Sequence, residues 1–240
     1  MYQLKEWIGD FLYPSRCPVC DRVNAVGGTG ICDGCRIKIQ RVREPFCQKC
    51  GKPLAEESVV CGDCQGKESS YEYGRSLFVY NSSMQKSIGK FKYHGRQEYA
   101  KYYAEQMYLE YGEWMKEICA QRLIPVPIHK NRFRKRGYNQ AELIAKELAR
   151  LSGIPVWKDF LVRSKDTLPQ KELSNKERRE NLFQAFQVKE QGLELNRIPK
   201  CVIIIDDIYT TGSTLEECSK VIKKAGVHNV FFLCVSIGKG

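Results

Sequence analysis

Two adjacent carboxylates, Asp206 and Asp207, follow four apolar residues typical of a buried strand. They precede a hydroxyl-rich turn that consists of Thr210, Thr211, Gly212, Ser213 and Thr214. Buried carboxylates are unfavourable and neighbouring ones repel each other, so both must reach solvent, a cation or a ligand. The turn opens into a predicted helix whose free N–H groups suit a phosphate, which leaves sugar hydroxyls or a metal-bound ligand for the acids. This pattern favours a ribose 5-phosphate.

Paired acids after a strand also occur in the Walker B element of ATPases. The chain has no GxxxxGK[ST] loop, however, and it has no GxGxxG dinucleotide fingerprint. Neither an ATPase nor a dinucleotide-binding site is therefore indicated.

Eight of the twelve cysteines form four CxxC pairs, separated by 11, 11 and 10 residues. Two such turns can close a four-thiolate zinc site, so the array predicts two structural zinc ions rather than disulfides or a redox motif. The simplest grouping is Cys17, Cys20, Cys32 and Cys35 around one ion, and Cys47, Cys50, Cys61 and Cys64 around the other. A crossed arrangement, in which alternate pairs share a metal, stays open. The single cysteines Cys119, Cys201, Cys218 and Cys234 are expected to be small buried side chains.

The formal net charge of +11 is unevenly distributed. The first 64 residues contain nine Lys and Arg against eight Asp and Glu, so nearly all of the excess lies beyond them and suggests an anionic ligand there. The longest apolar run near the C-terminus, from Val230 to Ile237, is too short to span a bilayer, and the N-terminus lacks the pattern of a signal peptide. The sequence therefore predicts a cytoplasmic protein without a transmembrane segment.

The hydrophobic pattern changes near residue 70, which predicts two domains: residues 1–70, an N-terminal helix (Leu4 to Leu12) with the double zinc ribbon, and residues 71–240. Strands are predicted at 76–80, 123–128, 156–162, 202–205 and 230–235, with a short one at 183–188. Helices are predicted at 83–91, 98–119, 140–151 and 214–225. This alternation indicates an α/β fold with a doubly wound parallel sheet.

The segment from Val202 to Thr214 resembles the motif with which type I phosphoribosyltransferases bind 5-phosphoribosyl 1-diphosphate (PRPP): a hydrophobic strand, two acids and a TTGxT turn. Pro125 to Gln140 is similar to the proline-rich strand and RGFNQ element of the ComF family, with Tyr138 in place of the usual phenylalanine. Ile88 to Gly95 is similar to the family's lysine-tyrosine-glycine element, and the cysteine array to its double zinc ribbon. The likeness covers nearly the whole chain and points to late competence proteins of the ComFC type.

The resemblance implies a type I phosphoribosyltransferase-like domain in which Asp206 and Asp207 bind the ribose hydroxyls of PRPP. It assigns the 5-phosphate to Thr210, Thr211, Gly212, Ser213 and Thr214. It also implies a pyrophosphate loop from Val126 to Lys130, with Pro127, Ile128 and Lys130 as its candidate residues and with Mg²⁺ bridging pyrophosphate and ribose oxygens. Tyr209 is expected as a wall of this site, and residues 165–179 as a lid or a surface loop.

The basic stretch that follows the pyrophosphate loop has two interpretations. Its cations are Lys130, Arg132, Arg134, Lys135 and Arg136. On composition alone it is as well explained by a solvated basic loop, but the resemblance makes it a candidate for pyrophosphate or nucleic-acid contacts. With Phe133 and Tyr138 interleaved, stacking and backbone charge would suffice for unspecific binding of single-stranded DNA.

Three functions are consistent with these features. The favoured one is a competence protein that binds PRPP and assists the handling of incoming single-stranded DNA in natural transformation. The alternative is a phosphoribosyltransferase that uses PRPP and Mg²⁺ on an unidentified acceptor, a nucleobase or an amine. A third is a zinc-ribbon adaptor that mainly recruits a helicase or a channel. For the favoured function too, the expected protein partner is a DNA-uptake helicase or a membrane channel, which would place the protein at the inner face of the membrane.

Overall fold

The computed structural model describes residues 15–24, 30–55, 58–164, 185–189 and 198–238. The predicted helix from Leu4 to Leu12 and the predicted lid at 165–179 lie outside these described residues.

A four-stranded parallel sheet forms the centre of the described chain. Its strands are β1 (Gly74–Val79), β2 (Arg122–Pro125), β5 (Cys201–Tyr209) and β6 (Asn229–Ile237), in the order β1-β6-β5-β2. A separate antiparallel pair joins β3 (Leu161–Arg163) and β4 (Phe186–Val188). The central strands β5 and β6 are apolar along most of their length because both faces of the sheet are covered.

Six helices lie within the described residues: α1 (Asp33–Arg36), α2 (Ser82–Tyr93), α3 (Tyr99–Glu117), α4 (Lys130–Arg136), α5 (Gln140–Ser152) and α6 (Ser213–Lys224). Apolar side chains of α2, α3 and α5 pack on one face of the sheet, and those of α6 pack on the other. The predicted α/β architecture with a parallel sheet is confirmed. The predicted helices at 83–91, 98–119, 140–151 and 214–225 correspond to α2, α3, α5 and α6.

Two expectations about local structure are wrong. Residues 156–162 do not form one strand: Val156 makes an isolated parallel bridge to Leu123, and β3 begins only at Leu161. The basic stretch from residue 130 is not a loop but the helix α4. The His129 side chain caps its N-terminus by accepting a hydrogen bond from the Asn131 amide, and Gly137 ends it with a φ of 80°.

The second ribbon, from Cys47 to Cys64, packs against the sheet instead of standing apart from it. Cys47, Cys50 and Cys61 belong to the same buried cluster as Ile204 and Phe232 of the sheet. The adjoining segment covers the free edge of β1, where the Val42 amide donates to the Leu77 carbonyl oxygen at 3.0 Å. The domain boundary at residue 70 stays a prediction, but the ribbon and the sheet share one core.

The isolated cysteines differ from one another in exposure. Cys201, Cys218 and Cys234 are buried, as expected, whereas Cys119 is exposed. Cys119 lies after the end of α3, where the backbone turns through a φ of 53°. The expectation of a buried Cys119 is therefore wrong.

Candidate functional site

A cavity of about 620 Å³ opens at the carboxyl ends of β2 and β5, where ligands bind in parallel α/β sheets. Nine of the residues singled out from the sequence line it: Pro127, Ile128, Arg132, Lys135, Arg136, Asp206, Asp207, Thr210 and Thr214. The remaining candidates, Lys130, Arg134, Thr211, Gly212 and Ser213, do not line the cavity. The helix α4 therefore contributes cations, and the turn before α6 contributes hydroxyls, to the same cavity as the acid pair.

The two acids point to different sides of β5 because neighbouring side chains of a strand alternate. Asp207 contacts α2, where the Lys92 ammonium lies 2.9 Å from its Oδ1 and 2.8 Å from its Oδ2. Asp206 uses its Oδ1 to accept a hydrogen bond from the Asp207 amide at 2.8 Å. Burial, followed by the negative charge of Asp207, raises the pKa of Asp206 to about 7, against the opposing effect of Lys92.

The turn from Thr210 to Thr214, which resembles a phosphate-binding motif, leads into α6 without a side-chain cap at its N-cap residue. Gly212 is the N-cap residue in the left-handed region, with a φ of 78°, and as a glycine it has no side chain to cap the first amides of the helix. The Ser213 hydroxyl lies 2.9 Å from that of Thr211. Backbone N–H groups at this helix start are available to an anion.

Tyr209 lies behind the turn and does not line the cavity, so the expectation that it forms a wall of the site is wrong. Its ring stacks on Phe232 with centroids 5.2 Å apart, and its hydroxyl lies 3.2 Å from the Tyr71 hydroxyl. Burial raises the pKa of both phenols. A Cβ on Gly212 would lie 2.5 Å from the Tyr209 hydroxyl, so glycine at this position allows the turn to lie close to Tyr209.

Helix geometry divides the basic residues of α4 into two groups. Arg132, Lys135 and Arg136 are spaced i, i+3 and i+4, share one face and line the cavity. Lys130 and Arg134 lie outside the cavity lining and are exposed. The helix therefore presents one set of cations to the cavity and another to solvent.

The aromatic residues available for stacking differ from those expected. Tyr138 is buried and donates a hydrogen bond to the Phe91 carbonyl oxygen, so it cannot stack on a nucleic acid. Phe133 is 47% exposed, and Tyr93, at the rim of the cavity, is 65% exposed. The guanidinium of Arg136 lies 4.9 Å from the Tyr93 ring centroid. The exposed aromatic residues near α4 are therefore Phe133 and Tyr93, and not Phe133 and Tyr138 as expected.

The cysteine sulfurs gather into two four-thiolate groups, each within 4.8 Å of one another. The groups are Cys17, Cys20, Cys32 and Cys35, and Cys47, Cys50, Cys61 and Cys64. Four sulfur ligands at this separation fit one tetrahedral zinc ion each. Adjacent pairs are grouped, so the crossed arrangement left open by the sequence is not the one adopted.

One thiol in each group ionises more readily than usual. Burial opposes ionisation of Cys17, but backbone hydrogen bonds outweigh it and lower its pKa to about 7. A hydrogen bond with Cys50 is the largest cause that lowers the pKa of Cys64, to about 6. Burial raises the pKa of Cys32, Cys35 and Cys61, and a hydrogen bond with Cys64 raises that of Cys50. Because zinc binds thiolates, these thiols would lose their protons when the metal binds.

Fold and site together define an α/β protein that combines a double zinc ribbon with an acid-lined cavity at the end of a parallel sheet. The double zinc ribbon domain family matches residues 8–65. The chain is 32% identical to Competence protein F of Haemophilus influenzae, over 90% of this chain and 93% of that protein. It is 29% identical to the DNA utilization protein YhgH of Escherichia coli, over 92% and 96%, and 28% identical to Competence protein ComFC of Bacillus subtilis, over 82% and 79%.

The chain therefore belongs to the ComF family, as its sequence motifs indicated. Among solved structures, a purine phosphoribosyltransferase from Pyrococcus horikoshii has a TM-score of 0.34 and 16% identity, covering 56% of this chain and 72% of that one. A likeness this distant does not bear on function. None of the helices described is long and apolar enough to cross a membrane.

Sequence reasoning gave no role to several residues that line the cavity: Tyr80, Lys92, Tyr93, Asn139 and Arg163. Lys92 and Tyr93 lie in the segment from Ile88 to Gly95 that resembles a ComF element, and this resemblance was the available signal. Asn139 caps α5 and donates to the Val126 carbonyl oxygen at 3.0 Å, so it fixes the loop after β2. Arg163 comes from β3, which pairs with β4 and not with the four-stranded sheet.

Proposed function

We propose that this chain is a competence protein that binds PRPP in the cavity at the ends of β2 and β5 and assists the handling of incoming single-stranded DNA. The acids Asp206 and Asp207 bind the ribose hydroxyls. The turn from Thr210 to Thr214 binds the 5-phosphate, and Pro127, Ile128 and the cavity-facing cations of α4 hold the pyrophosphate.

The observation that carries the PRPP proposal is the convergence of three chemistries on one cavity. Paired carboxylates suit hydroxyls, an uncapped helix start suits a phosphate, and Arg132, Lys135 and Arg136 suit a diphosphate. PRPP contains hydroxyls, a phosphate and a diphosphate, and a cavity of about 620 Å³ is within the size range of small-molecule sites. When present, Mg²⁺ would bring positive charge to the diphosphate and ribose oxygens.

The DNA part of the proposal is supported by the relatives and by surface charge. Two of the relatives are named competence proteins, and a third is named a DNA utilization protein. In this chain, Lys130 and Arg134 face solvent, and exposed Phe133 and Tyr93 lie nearby to stack on bases. Such a surface binds the backbone without reading its sequence.

The alternative is a phosphoribosyltransferase that acts on a nucleobase or an amine. The cavity has partly exposed aromatic and polar walls at Tyr80, Tyr93 and Arg163, which give an acceptor room beside the acid pair. Release of pyrophosphate from PRPP in the presence of single candidate acceptors would support this activity. Stable PRPP on the protein, with no release for any acceptor, would favour a binding role.

A DNA-uptake helicase or a membrane channel is the partner class that a competence role implies. Residence in the cytoplasm, with recruitment to the inner face of the membrane through such a partner, remains part of the proposal. Co-purification from competent cells tests both statements.

Calorimetry with PRPP and Mg²⁺, beside a strand-binding assay over a salt series, tests the main proposal. The wild type is compared with the double variant Asp206→Asn/Asp207→Asn, which keeps the side-chain shapes and removes both charges. We expect PRPP binding to be lost and strand binding to persist. A wild type that binds neither ligand would overturn the proposal and would favour the function of a zinc-ribbon adaptor.

A further inference from the structure

Lys92 is placed where a metal ion would be expected to compensate an acid pair. Its ammonium contacts both oxygens of Asp207, at 2.9 and 2.8 Å, and both side chains line the cavity. The fold has therefore supplied a fixed cation to one of the two acids.

Local structure holds Lys92 in this position. It lies in the last turn of α2, where the helix dipole favours a cation, and α2 is anchored by the buried side chains of Met84, Ile88 and Phe91. The lysine side chain retains 19% of its exposure and that of Asp207 retains 11%. The pair is thus largely desolvated and yet reaches the ligand space.

An ordinary structural ion pair explains this arrangement less well. Desolvation offsets much of the attraction in a buried pair, so such a pair adds little stability compared with apolar side chains. This pair instead borders an open cavity beside a second carboxylate, Asp206. Without the ammonium, two neighbouring carboxylates would repel each other and attract a divalent cation.

We propose that Lys92 is the resident cation of the acid pair and sets its response to magnesium. The ammonium holds Asp207 in an orientation toward the ribose hydroxyls, and it excludes Mg²⁺ from that carboxylate. Mg²⁺ would then be held by the diphosphate of PRPP and not by Asp207. Lys92 is a positioning residue, and this inference rests on the proposed PRPP site.

The first experiment uses Mg²⁺ alone and does not depend on PRPP. Thermal unfolding of wild type, Lys92→Met, Lys92→Arg and Lys86→Met is followed as Mg²⁺ is raised. Methionine keeps most of the length of the lysine side chain without its charge. Lys86 is an exposed lysine on the same helix outside the cavity. We expect Mg²⁺ to raise the Tm of Lys92→Met by about 2–4 °C and to leave the other three proteins unchanged.

The second experiment measures the PRPP dissociation constant by calorimetry at several Mg²⁺ concentrations. At low Mg²⁺, Lys92→Met should bind PRPP about tenfold more weakly than wild type, and the gap should close as Mg²⁺ rises. Lys92→Arg should follow the wild type because it keeps the charge. A merely structural role would weaken binding equally at every Mg²⁺ concentration.

The outcomes separate the two proposals. A Tm response to Mg²⁺ that is the same in wild type and Lys92→Met overturns the role of Lys92, whether or not PRPP binds. Absence of PRPP binding by the wild type at every Mg²⁺ concentration overturns the PRPP proposal instead. A selective Tm response of Lys92→Met together with a Mg²⁺-dependent affinity gap supports both.

Discussion

Asp206 and Asp207 show how two neighbouring carboxylates can be accommodated at the end of a buried strand. Asp207 is neutralised by Lys92 on the α2 side of the sheet. Asp206, on the other side, carries the raised pKa of about 7 and accepts a backbone hydrogen bond. Two chemically identical side chains therefore have different partners at the end of the same strand.

The raised pKa of Asp206 predicts a pH dependence of PRPP binding. A carboxylate accepts hydrogen bonds from sugar hydroxyls in its ionised form, so affinity should rise between about pH 6 and about pH 8 as Asp206 loses its proton. Calorimetry over this range measures the effect. The phosphates of PRPP also titrate near pH 6, so Asp206→Asn is the matched control and should show only that part of the change. Identical pH profiles for the two proteins would contradict the assignment of the raised pKa to Asp206.

Among the elements, the start of α6 depends on a glycine that a larger residue cannot replace. In the left-handed region a non-glycine residue costs about 1–2 kcal/mol, and a Cβ on Gly212 would also meet the Tyr209 hydroxyl. Gly137 has a similar φ of 80°, but a Cβ added there would have no neighbouring atom within 4 Å.

We expect Gly212→Ala to lower the free energy of unfolding by about 2–4 kcal/mol and Gly137→Ala by about 1–2 kcal/mol. Urea unfolding measures both values. Adding Tyr209→Phe to Gly212→Ala should recover part of the loss, because the clashing hydroxyl is removed. Equal losses for the two alanine variants would show that contact with Tyr209 is unimportant.

The two faces of α4 allow the proposed binding of PRPP and of single-stranded DNA to be tested independently. Arg132→Ala/Lys135→Ala removes two cations from the cavity face, and Lys130→Ala/Arg134→Ala removes two from the solvent face. We expect the first variant to lose PRPP affinity. The second should keep it while the salt dependence of single-stranded DNA binding falls by about 1.4 in slope, since each phosphate contact contributes about 0.7. Equal effects of both variants on both ligands would contradict the division of the helix into two faces.

Elements with strong local signals could be predicted from the sequence. The continuous apolar runs of β5 and β6, the amphipathic helices and the evenly spaced CxxC pairs each contain their own signal, and the parallel α/β fold and two zinc groups follow from them. Helix α4 was missed because five cations in seven residues resemble a solvated loop. Its cap at His129 and its end at Gly137 are the local features that would have indicated a helix.

Contacts between distant segments could not be predicted in this way. The Lys92–Asp207 pair joins residues more than one hundred positions apart, and the Tyr71–Tyr209 contact does the same. The packing of the second ribbon on the sheet also depends on the tertiary fold. Local periodicity reports which face of an element is buried but not what covers it.

On the scale of the whole molecule, each zinc group is connected to one side of the cavity. Near the first group, Asp21 accepts hydrogen bonds from Arg96 at 2.9 Å and Tyr99 at 2.7 Å, beside the end of α2. Beyond the second group, the amide and hydroxyl of Ser70 donate to Glu216 of α6, both at 2.8 Å. Zinc ions held by the two groups would therefore stabilise segments that contact the end of α2 and the start of α6.

Removal of one zinc ion should loosen the part of the site that it braces. We expect Cys64→Ser to increase amide exchange in residues 70–71 and 209–216, and Cys20→Ser to increase it in residues 87–99, because each loses a metal ligand. Hydrogen exchange with mass spectrometry measures both regions in one experiment. Cys119→Ser, which changes an exposed cysteine outside both groups, is the control. Exchange that rises only within the ribbons would contradict the coupling.

The central claim is that the acid pair and the turn before α6 bind one sugar phosphate between them. A crystal structure of the wild type with PRPP and Mg²⁺ tests it most directly. We predict ribose hydroxyls within hydrogen-bond distance of Asp206 and Asp207 and the 5-phosphate on the backbone amides of residues 210–214. Density for PRPP elsewhere on the protein, with the cavity empty, would contradict the claim.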